Sequence, residues 1–344
     1  MMVVMKRDHS QQELRAVLDH LQEAGLSGHT IVGVERIVIG VVGQIYPELS
    51  DELRGLPGVD ETVPISKPYK LASRELRPHD TVVKVGNVVI GGGSTVVIAG
   101  QCSVDTPDQM MATAQAVKDA GGHLLRGGAF KPRSSPHAFR GLVDEGLRIL
   151  AEAGAAYGLP TVSEVMDPRD VEVVAEHVDL LQIGTRNAQN YFLLDEVGNC
   201  RKPVLLKRGM ACSVEEWLLC AEYVLARGNP NVILCERGIR TFETGTRFTL
   251  DVSAIPLAKR LSHLPVIADP SHGTGHWYLV EPLSMACVAA GADGLMVEIH
   301  PNPDRALSDG AQSLNFANFH RLMERVRVVS EAVQRPFARV LEPD

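Results

Sequence analysis

Eight short apolar runs recur through the chain at the spacing of a β/α repeat, over residues 96–102, 123–129, 161–166, 180–185, 203–209, 231–238, 265–272 and 294–300. Almost every run finishes in a cation, a carboxylate, a thiol or an imidazole, where a purely structural strand would finish in turn residues. That combination is how a (β/α)8 barrel builds an active site, because its catalytic groups come from the C-terminal ends of several strands. The predicted fold class is therefore α/β, an eight-stranded parallel barrel over residues 96–338, and the chain reads as an enzyme. The span is about 240 residues, close to the ~250 of such barrels.

The residues before the barrel follow a different pattern. Residues 2–5 are strand-like, and residues 11–24 place Leu14, Val17, Leu18 and Leu21 at helical spacing, closed by Gly25. Residues 30–42 read as two strands meeting near Glu35 and Arg36, followed by a short helix over 49–56 and a strand over 61–66. The resulting βαββαβ order is that of a small ferredoxin-like α+β domain over residues 1–66. A unit of this size is marginal alone and gains from docking or self-association. Pro64, Pro68 and Pro78 mark the passage to the barrel, and residues 67–95 form the linker and a hairpin. The alternating run around Gly86-Asn87 predicts a hairpin that caps the bottom of the barrel.

Composition narrows the class of partner. Apolar residues make up 45% and charged residues 22%, which suits a globular chain with a substantial core. A net charge of −8 argues against nucleic acid or an anionic membrane as partner, since both require a basic face. No apolar stretch approaches a membrane span, and residues 1–6 are too short for a signal-peptide core, so a cytoplasmic location is expected. The cysteines Cys102, Cys200, Cys212, Cys220, Cys235 and Cys287 form no close CxxC pair, so reduced thiols are expected. No Walker A sequence is present, and Gly91-Gly92-Gly93 precedes a strand instead of following one.

Two constellations carry chemistry. Cys102 at the end of the first barrel strand, His272 at the end of the seventh, Glu298 at the end of the eighth and Asp309 in the loop beyond bring a thiolate, an imidazole and two carboxylates to one mouth. Such a mixed S/N/O set suits one divalent transition metal ion of the Mn, Fe, Co or Zn type. The second constellation is cationic. Arg126, Lys131 and Arg133 follow the second strand, Arg186 follows the fourth, Lys207 ends the fifth and Arg237 ends the sixth. In an acidic protein, cations gathered on one rim focus a positive field into the cleft and attract multiply charged anions. Arginine forks match phosphate and carboxylate bidentately, and lysine adds a compact charge. Together the two sets suggest a substrate with phosphate, carboxylate and a carbonyl.

Several motifs then carry a specific resemblance. They are Arg126-Gly127-Gly128-Ala129-Phe130-Lys131-Pro132-Arg133-Ser134-Ser135-Pro136, Gly184-Thr185-Arg186-Asn187-Ala188-Gln189-Asn190, Leu205-Leu206-Lys207-Arg208-Gly209, Cys235-Glu236-Arg237-Gly238-Ile239-Arg240-Thr241-Phe242-Glu243 and Asp269-Pro270-Ser271-His272. In this order they closely resemble 3-deoxy-D-arabino-heptulosonate 7-phosphate (DAHP) synthase, type I, β subtype, across the barrel and into the N-terminal unit. The resemblance implies an aldol-like condensation of phosphoenolpyruvate with erythrose 4-phosphate, the first step toward aromatic amino acids. It places the metal on Cys102, His272, Glu298 and Asp309, and phosphoenolpyruvate on Arg126, Lys131, Arg186, Lys207 and Arg237. Arg133 and Ser134 fall on the aldose phosphate, and Glu164, ending the third strand, falls near the attacking water or phosphoenolpyruvate. Lys131 is the expected proton donor to the new hydroxyl, since crowding by Arg126 and Arg133 eases loss of its proton. The resemblance further implies a homotetramer and a regulatory N-terminal unit that takes tyrosine or phenylalanine.

The chain departs from the family pattern at several points. Gln101 stands where the family usually has proline, Asp105 replaces a common glutamate, Ser134 a frequent threonine, and Gly273-Thr274-Gly275-His276 is a variant run that brings His276 close in sequence to the site. The sister activity, 3-deoxy-octulosonate 8-phosphate synthase, typically reads Lys-Ala-Asn-Arg where this chain has Lys131-Pro132-Arg133, and it lacks the Arg186-Asn187-Ala188-Gln189-Asn190 run. A catalytically idle, ligand-sensing homologue is the other alternative, and the intact ligands and cations argue against it.

Overall fold

The computed structural model describes residues 1–32, 36–63, 68–130 and 141–341, and divides into two compact units. The first comprises Met1–His79 with Leu261–His263, and the second Asp80–Arg260 with Leu264–Asp344.

The first unit holds β1 (Met2–Met5), α1 (Gln11–Glu23), β2 (Ser27–Val32), β3 (Ile37–Val42), α2 (Leu49–Arg54) and β4 (Val59–Val63). Its sheet runs β2-β3-β1-β4, every pairing antiparallel. This is the ferredoxin-like arrangement that the βαββαβ order predicts. Helix α1 starts where Ser10 and Glu13 form a capping box and stops before Gly25, whose φ of 72° leaves the helical region. Leu14, Val17 and Leu21 are buried on the face toward Val3, Met5 and Ile39, with Leu18 partly buried beside them. The last strand covers Val59–Val63 instead of the expected 61–66, and residues 64–67 lie outside the described residues, as does Glu35.

The second unit opens with the hairpin β5 (Val83–Val85) and β6 (Val88–Ile90), turned at Gly86-Asn87. Eight parallel strands then close on themselves: β7 (Val96–Gln101), β8 (Leu124–Gly127), β9 (Thr161–Val165), β10 (Leu180–Ile183), β11 (Val204–Lys207), β12 (Val232–Glu236), β13 (Val266–Ala268) and β14 (Gly294–Glu298). Helices α3 (Pro107–Asp119), α4 (Asp144–Tyr157), α5 (Val171–His177), α6 (Tyr191–Asn199), α7 (Val214–Ala226), α8 (Ala254–Leu261), α9 (Pro270–Thr274), α10 (Trp277–Ala289) and α11 (Phe316–Ala332) fall between or after them. The stripe Val214, Trp217, Leu218, Ala221, Val224 and Leu225 on α7 is buried, as helical periodicity predicts for a helix laid against a sheet.

One end of the barrel is plugged. Val83, Val85, Val88 and Ile90 of the hairpin pack with Val96, Ile98, Leu124, Val162, Leu180, Leu205, Ile233, Ile267 and Met296, residues from the first halves of the barrel strands or next to them. The segment after α11 braces this end: Thr95 N donates to Pro336 O (2.9 Å), Ala338 N to Thr95 O (3.0 Å) and Leu341 N to Asn87 O (2.8 Å). The hairpin thus caps the bottom, and the opposite end is left for side chains with other tasks. Among the described residues, no helix is long and apolar enough to cross a membrane.

Candidate active site at the barrel mouth

The strand ends deliver charge into a dry setting. Cys102 follows the last residue of β7, Glu298 is the last of β14, His272 sits inside the short helix α9, and Asp309 precedes the 3-10 turn Gly310–Gln312. One ligand atom from each of these four residues lies within 4.8 Å of the others. His272 was expected at a strand end. Strand β13 stops at Ala268, however, because Asp269 turns the chain by capping α9, its side chain accepting from His272 N at 2.9 Å. Cys102 and Arg237 likewise stand one residue beyond their strands, while Arg126 lies within β8 and Glu164 is the penultimate residue of β9. Shifts of one residue leave each side chain at the same mouth.

The donor set fits a transition metal. Cys102 Sγ donates to Asp309 Oδ2 at 2.9 Å, so the thiol proton already faces a carboxylate, and a bound cation would replace that proton. His272 Nε2 lies 3.3 Å from Glu298 Oε1, while His272 Nδ1 pairs with Asp269 Oδ2 at 2.7 Å. A carboxylate on the far nitrogen of a metal-binding histidine fixes the ring's tautomer and orientation. Burial pushes the His272 imidazole below its ordinary range, against the pull of Asp269 and Glu298, and so favours the neutral form that a metal requires.

The cations divide into distinct environments. Arg126, 4% exposed, donates to Glu298 Oε1 at 2.6 Å; burial opposes its charge, but Glu298, Cys102 and Asp269 together hold its pKa above the usual value. Lys207, 3% exposed, donates to Asp269 Oδ2 at 2.6 Å. Asp269 therefore joins the candidate ligand His272 to a buried lysine. Burial alone would raise its pKa, but His272 and Lys207 hold it well below the ordinary range. Arg237 is also buried, its guanidinium 4.2 Å from the Phe248 ring, and its Nε has no hydrogen-bond partner among the described residues. Burial pushes Arg237 below its ordinary range, and the Asp269 and Glu236 carboxylates offset that only in part, with the Arg247 cation adding to the fall. Arg186 projects, exposed, from the 3-10 turn after β10. Lys131, Arg133 and Ser134 lie outside the described residues.

Glu164 lines a small cavity with Cys102, Arg126 and Gln182, and accepts from Gln182 Nε2 at 3.1 Å. Gly184 makes room for it: a Cβ there would lie 2.0 Å from Glu164 Oε1. The departures from the family pattern also find partners. Gln101 Nε2 donates to Thr113 Oγ1 of α3, away from the mouth. Asp105 accepts from Ser103 Oγ and Leu307 N and lies 3.3 Å from His300 Nε2, while Ser103 meets Ser308 at 2.8 Å. These bonds close the barrel seam and steady the loop that carries Asp309. His276 stacks on Tyr278 at 5.3 Å and is not one of the four clustered ligands.

Sequence reasoning passed over Asp269, Arg208 and Glu236 as site-building residues. Arg208 donates to Glu236 Oε2 and Asp251 Oδ2, both at 2.9 Å, and Glu236 Oε1 accepts from Gly238 N at 2.7 Å, which holds the backbone on either side of Arg237. The signal was present as charge next to charge in Lys207-Arg208 and Glu236-Arg237. Within a strand, alternate residues face opposite sides, so one of each pair serves the mouth and the other its support.

Comparison with known proteins gives matches along nearly the whole chain. Residues 71–335 match the DAHP synthetase I family, and residues 1–67 match the DAHP synthase ferredoxin-like domain. A phospho-2-dehydro-3-deoxyheptonate aldolase from Thermotoga maritima is 47% identical over 333 residues, covering 97% of this chain and 98% of the relative. The crystal structure of the DAHP synthase from that organism superposes with a TM-score of 0.78 at 46% identity, covering 98% of each chain. A 2-dehydro-3-deoxyphosphooctonate aldolase from Syntrophotalea carbinolica is 32% identical, but over 73% of this chain.

Proposed function

The chain belongs to the DAHP synthetase I family, and from that premise we propose how its residues divide the labour of the reaction. The enzyme condenses phosphoenolpyruvate with erythrose 4-phosphate to give DAHP and phosphate, the first step of the shikimate pathway. The eight-carbon alternative is disfavoured: its relative covers less of the chain, while the N-terminal residues match a DAHP synthase domain.

The family is metal-dependent, and Cys102, His272, Glu298 and Asp309 are the residues that would hold the ion. When bound, a divalent ion of the Mn, Fe, Co or Zn type supplies Lewis acidity toward the aldehyde oxygen. Arg126, Arg186, Lys207 and Arg237, with Lys131, hold the carboxylate and phosphate of phosphoenolpyruvate; the buried Nε of Arg237, without a hydrogen-bond partner among the described residues, supports an anion there. Arg133 and Ser134 hold the aldose phosphate, leaving the aldehyde carbon open to attack by C3 of phosphoenolpyruvate. Positive charge then develops at C2, where Glu164 orients a water for addition. Lys131 donates a proton to the new hydroxyl, and phosphate leaves by C–O cleavage.

The observation that carries this reading is the sharing of Glu298 between Arg126 and His272, which sets a phosphate-binding cation and a metal ligand on one carboxylate. We further assign tyrosine or phenylalanine inhibition to the ferredoxin-like unit, a homotetrameric assembly and a cytoplasmic setting. Product formation from phosphoenolpyruvate with four-carbon against five-carbon aldose phosphates, with and without each amino acid, tests the reading. Turnover confined to the four-carbon sugar supports it, and equal turnover of both contradicts it.

A further inference from the structure

Both carboxylates of the candidate metal cluster present one oxygen inward and one outward, and the outward oxygens meet a common relay. Asp309 turns Oδ2 toward Cys102 Sγ at 2.9 Å and Oδ1 toward Arg247 Nη1 at 3.0 Å. Glu298 turns Oε1 toward Arg126 and His272, and Oε2 toward Gln312 Nε2 at 2.6 Å. The same Arg247 Nη1 donates to Gln312 Oε1 at 2.8 Å. Because arginine only donates and an ionised carboxylate only accepts, the Gln312 amide has one workable orientation between them. Gln312 is 2% exposed, so water offers it no easy substitute for either bond.

We infer that Arg247 is a positioning residue that fixes Asp309 directly and Glu298 through Gln312 in their metal-binding orientation. The inference rests on the metal reading of the cluster given above. Asp309 needs such an anchor, since it sits on a loop with φ of 51°, in the left-handed region that non-glycine residues seldom occupy. Arg247 is well placed to supply it. Its backbone N donates to Thr274 O at 2.9 Å, tying it to α9, which carries His272. A Cβ on Gly275, at φ of 76°, would lie 2.6 Å from the Arg247 Cβ, so the close approach depends on that glycine. One residue outside the cluster thereby touches the supports of three of its four ligands. The Arg247 side chain is 35% exposed, so it works by orienting oxygens more than by raw charge.

The test uses the full-length enzyme stripped of metal and titrated with Co(II), read by its dissociation constant and by the charge-transfer band of the Cys102 thiolate. Arg247→Met keeps the aliphatic stem and removes the donors; it is expected to weaken Co(II) binding tenfold to a hundredfold, the usual range for such outer partners, and to alter the band. Arg247→Lys keeps a nitrogen able to donate twice but on a shorter stem that does not hold it at the Nη1 position, and is expected to fall between. Phosphoenolpyruvate affinity and the melting temperature of the metal-free protein are expected to stay at wild-type values. Wild-type Co(II) affinity and spectrum in Arg247→Met overturn the inference, as does a parallel fall in metal-free melting temperature and phosphoenolpyruvate affinity, which marks a general structural role. Cys102→Ser separates the two levels: if it also binds Co(II) as wild type does, the metal reading itself is wrong.

Discussion

The two ends of the same barrel are built from opposite materials. At the bottom, Val83, Val85, Val88 and Ile90 are fully buried against the starts of the strands. At the mouth, Arg126, Lys207, Glu236, Arg237, Asp269 and Glu298 are each no more than 4% exposed. Apolar burial stabilises without regard to direction, whereas buried ion pairs only about break even against their desolvation. This fold thus concentrates apolar burial at one end and charged, chemistry-bearing groups at the other. The mouth is tolerable because pairs such as Arg126 with Glu298 and Lys207 with Asp269 leave little charge uncompensated.

If that division holds, substitutions at the two ends should fail in different currencies. Cys102→Ser or His272→Ala is expected to lose about a thousandfold in turnover, corresponding to several kcal/mol of barrier, with little change in unfolding midpoint. A hydroxyl is a poor ligand for a soft ion, so added metal should restore little. Steady-state kinetics beside thermal melts check the pair of expectations. At the opposite end, Ile90→Ala should cost about 2 to 5 kcal/mol of stability while the folded fraction keeps wild-type kcat/KM. A plug variant that stayed stable but lost catalysis would break the comparison.

Within the mouth, the account separates two phosphate sites. Arg133→Ala should raise the Michaelis constant for erythrose 4-phosphate by about tenfold to a hundredfold, the value of a charge-assisted contact of about 1.5 to 3 kcal/mol. The constant for phosphoenolpyruvate should barely move; equal effects would show Arg133 assigned to the wrong substrate. Removal of residues 1–66 is expected to leave turnover intact, since every proposed catalytic group lies beyond Gly100. It should also abolish any response to tyrosine or phenylalanine, a coupling of typically 1 to 3 kcal/mol. Identical responses in the two forms would remove regulation from that unit.

The walls between the two ends contribute a smaller, pH-dependent effect. Burial pushes the thiols of Cys220 and Cys287 up from an ordinary 9.0 to about 12, and raises that of Cys235 as well. A folded-state pKa above the unfolded value gives stability that is complete below pH 9 and drains as pH climbs toward 12, because the unfolded thiols ionise first. The urea midpoint should therefore decline across that window, and less steeply in Cys287→Ala. A midpoint of the same slope in both proteins would contradict the shift.

The strands were legible because a barrel strand is a local apolar run, and three of the four candidate ligands, Cys102, His272 and Glu298, because each stands within a few residues of a strand end. Cys102, Glu298 and Lys207 could be placed by counting. The supports could not. Arg247 meets Asp309 across 62 residues of chain, and Lys207 meets Asp269 across another 62, distances that only barrel closure bridges. His272 fell on a helix because Asp269 caps it, a role that a carboxylate three residues upstream signals only in hindsight. Lys131, Arg133 and Ser134 stand on residues 131–140, where the motif alone speaks for them.

The central claim is that the mouth works through one metal ion held by Cys102, His272, Glu298 and Asp309. Its most direct test is turnover of phosphoenolpyruvate with erythrose 4-phosphate by chelator-stripped enzyme titrated with a divalent metal, wild type beside Cys102→Ser. The account predicts negligible turnover in the stripped enzyme, activity that rises linearly to saturation at one ion per chain, and a nearly flat response in Cys102→Ser. Full turnover without metal, or wild-type recovery in Cys102→Ser, would contradict it.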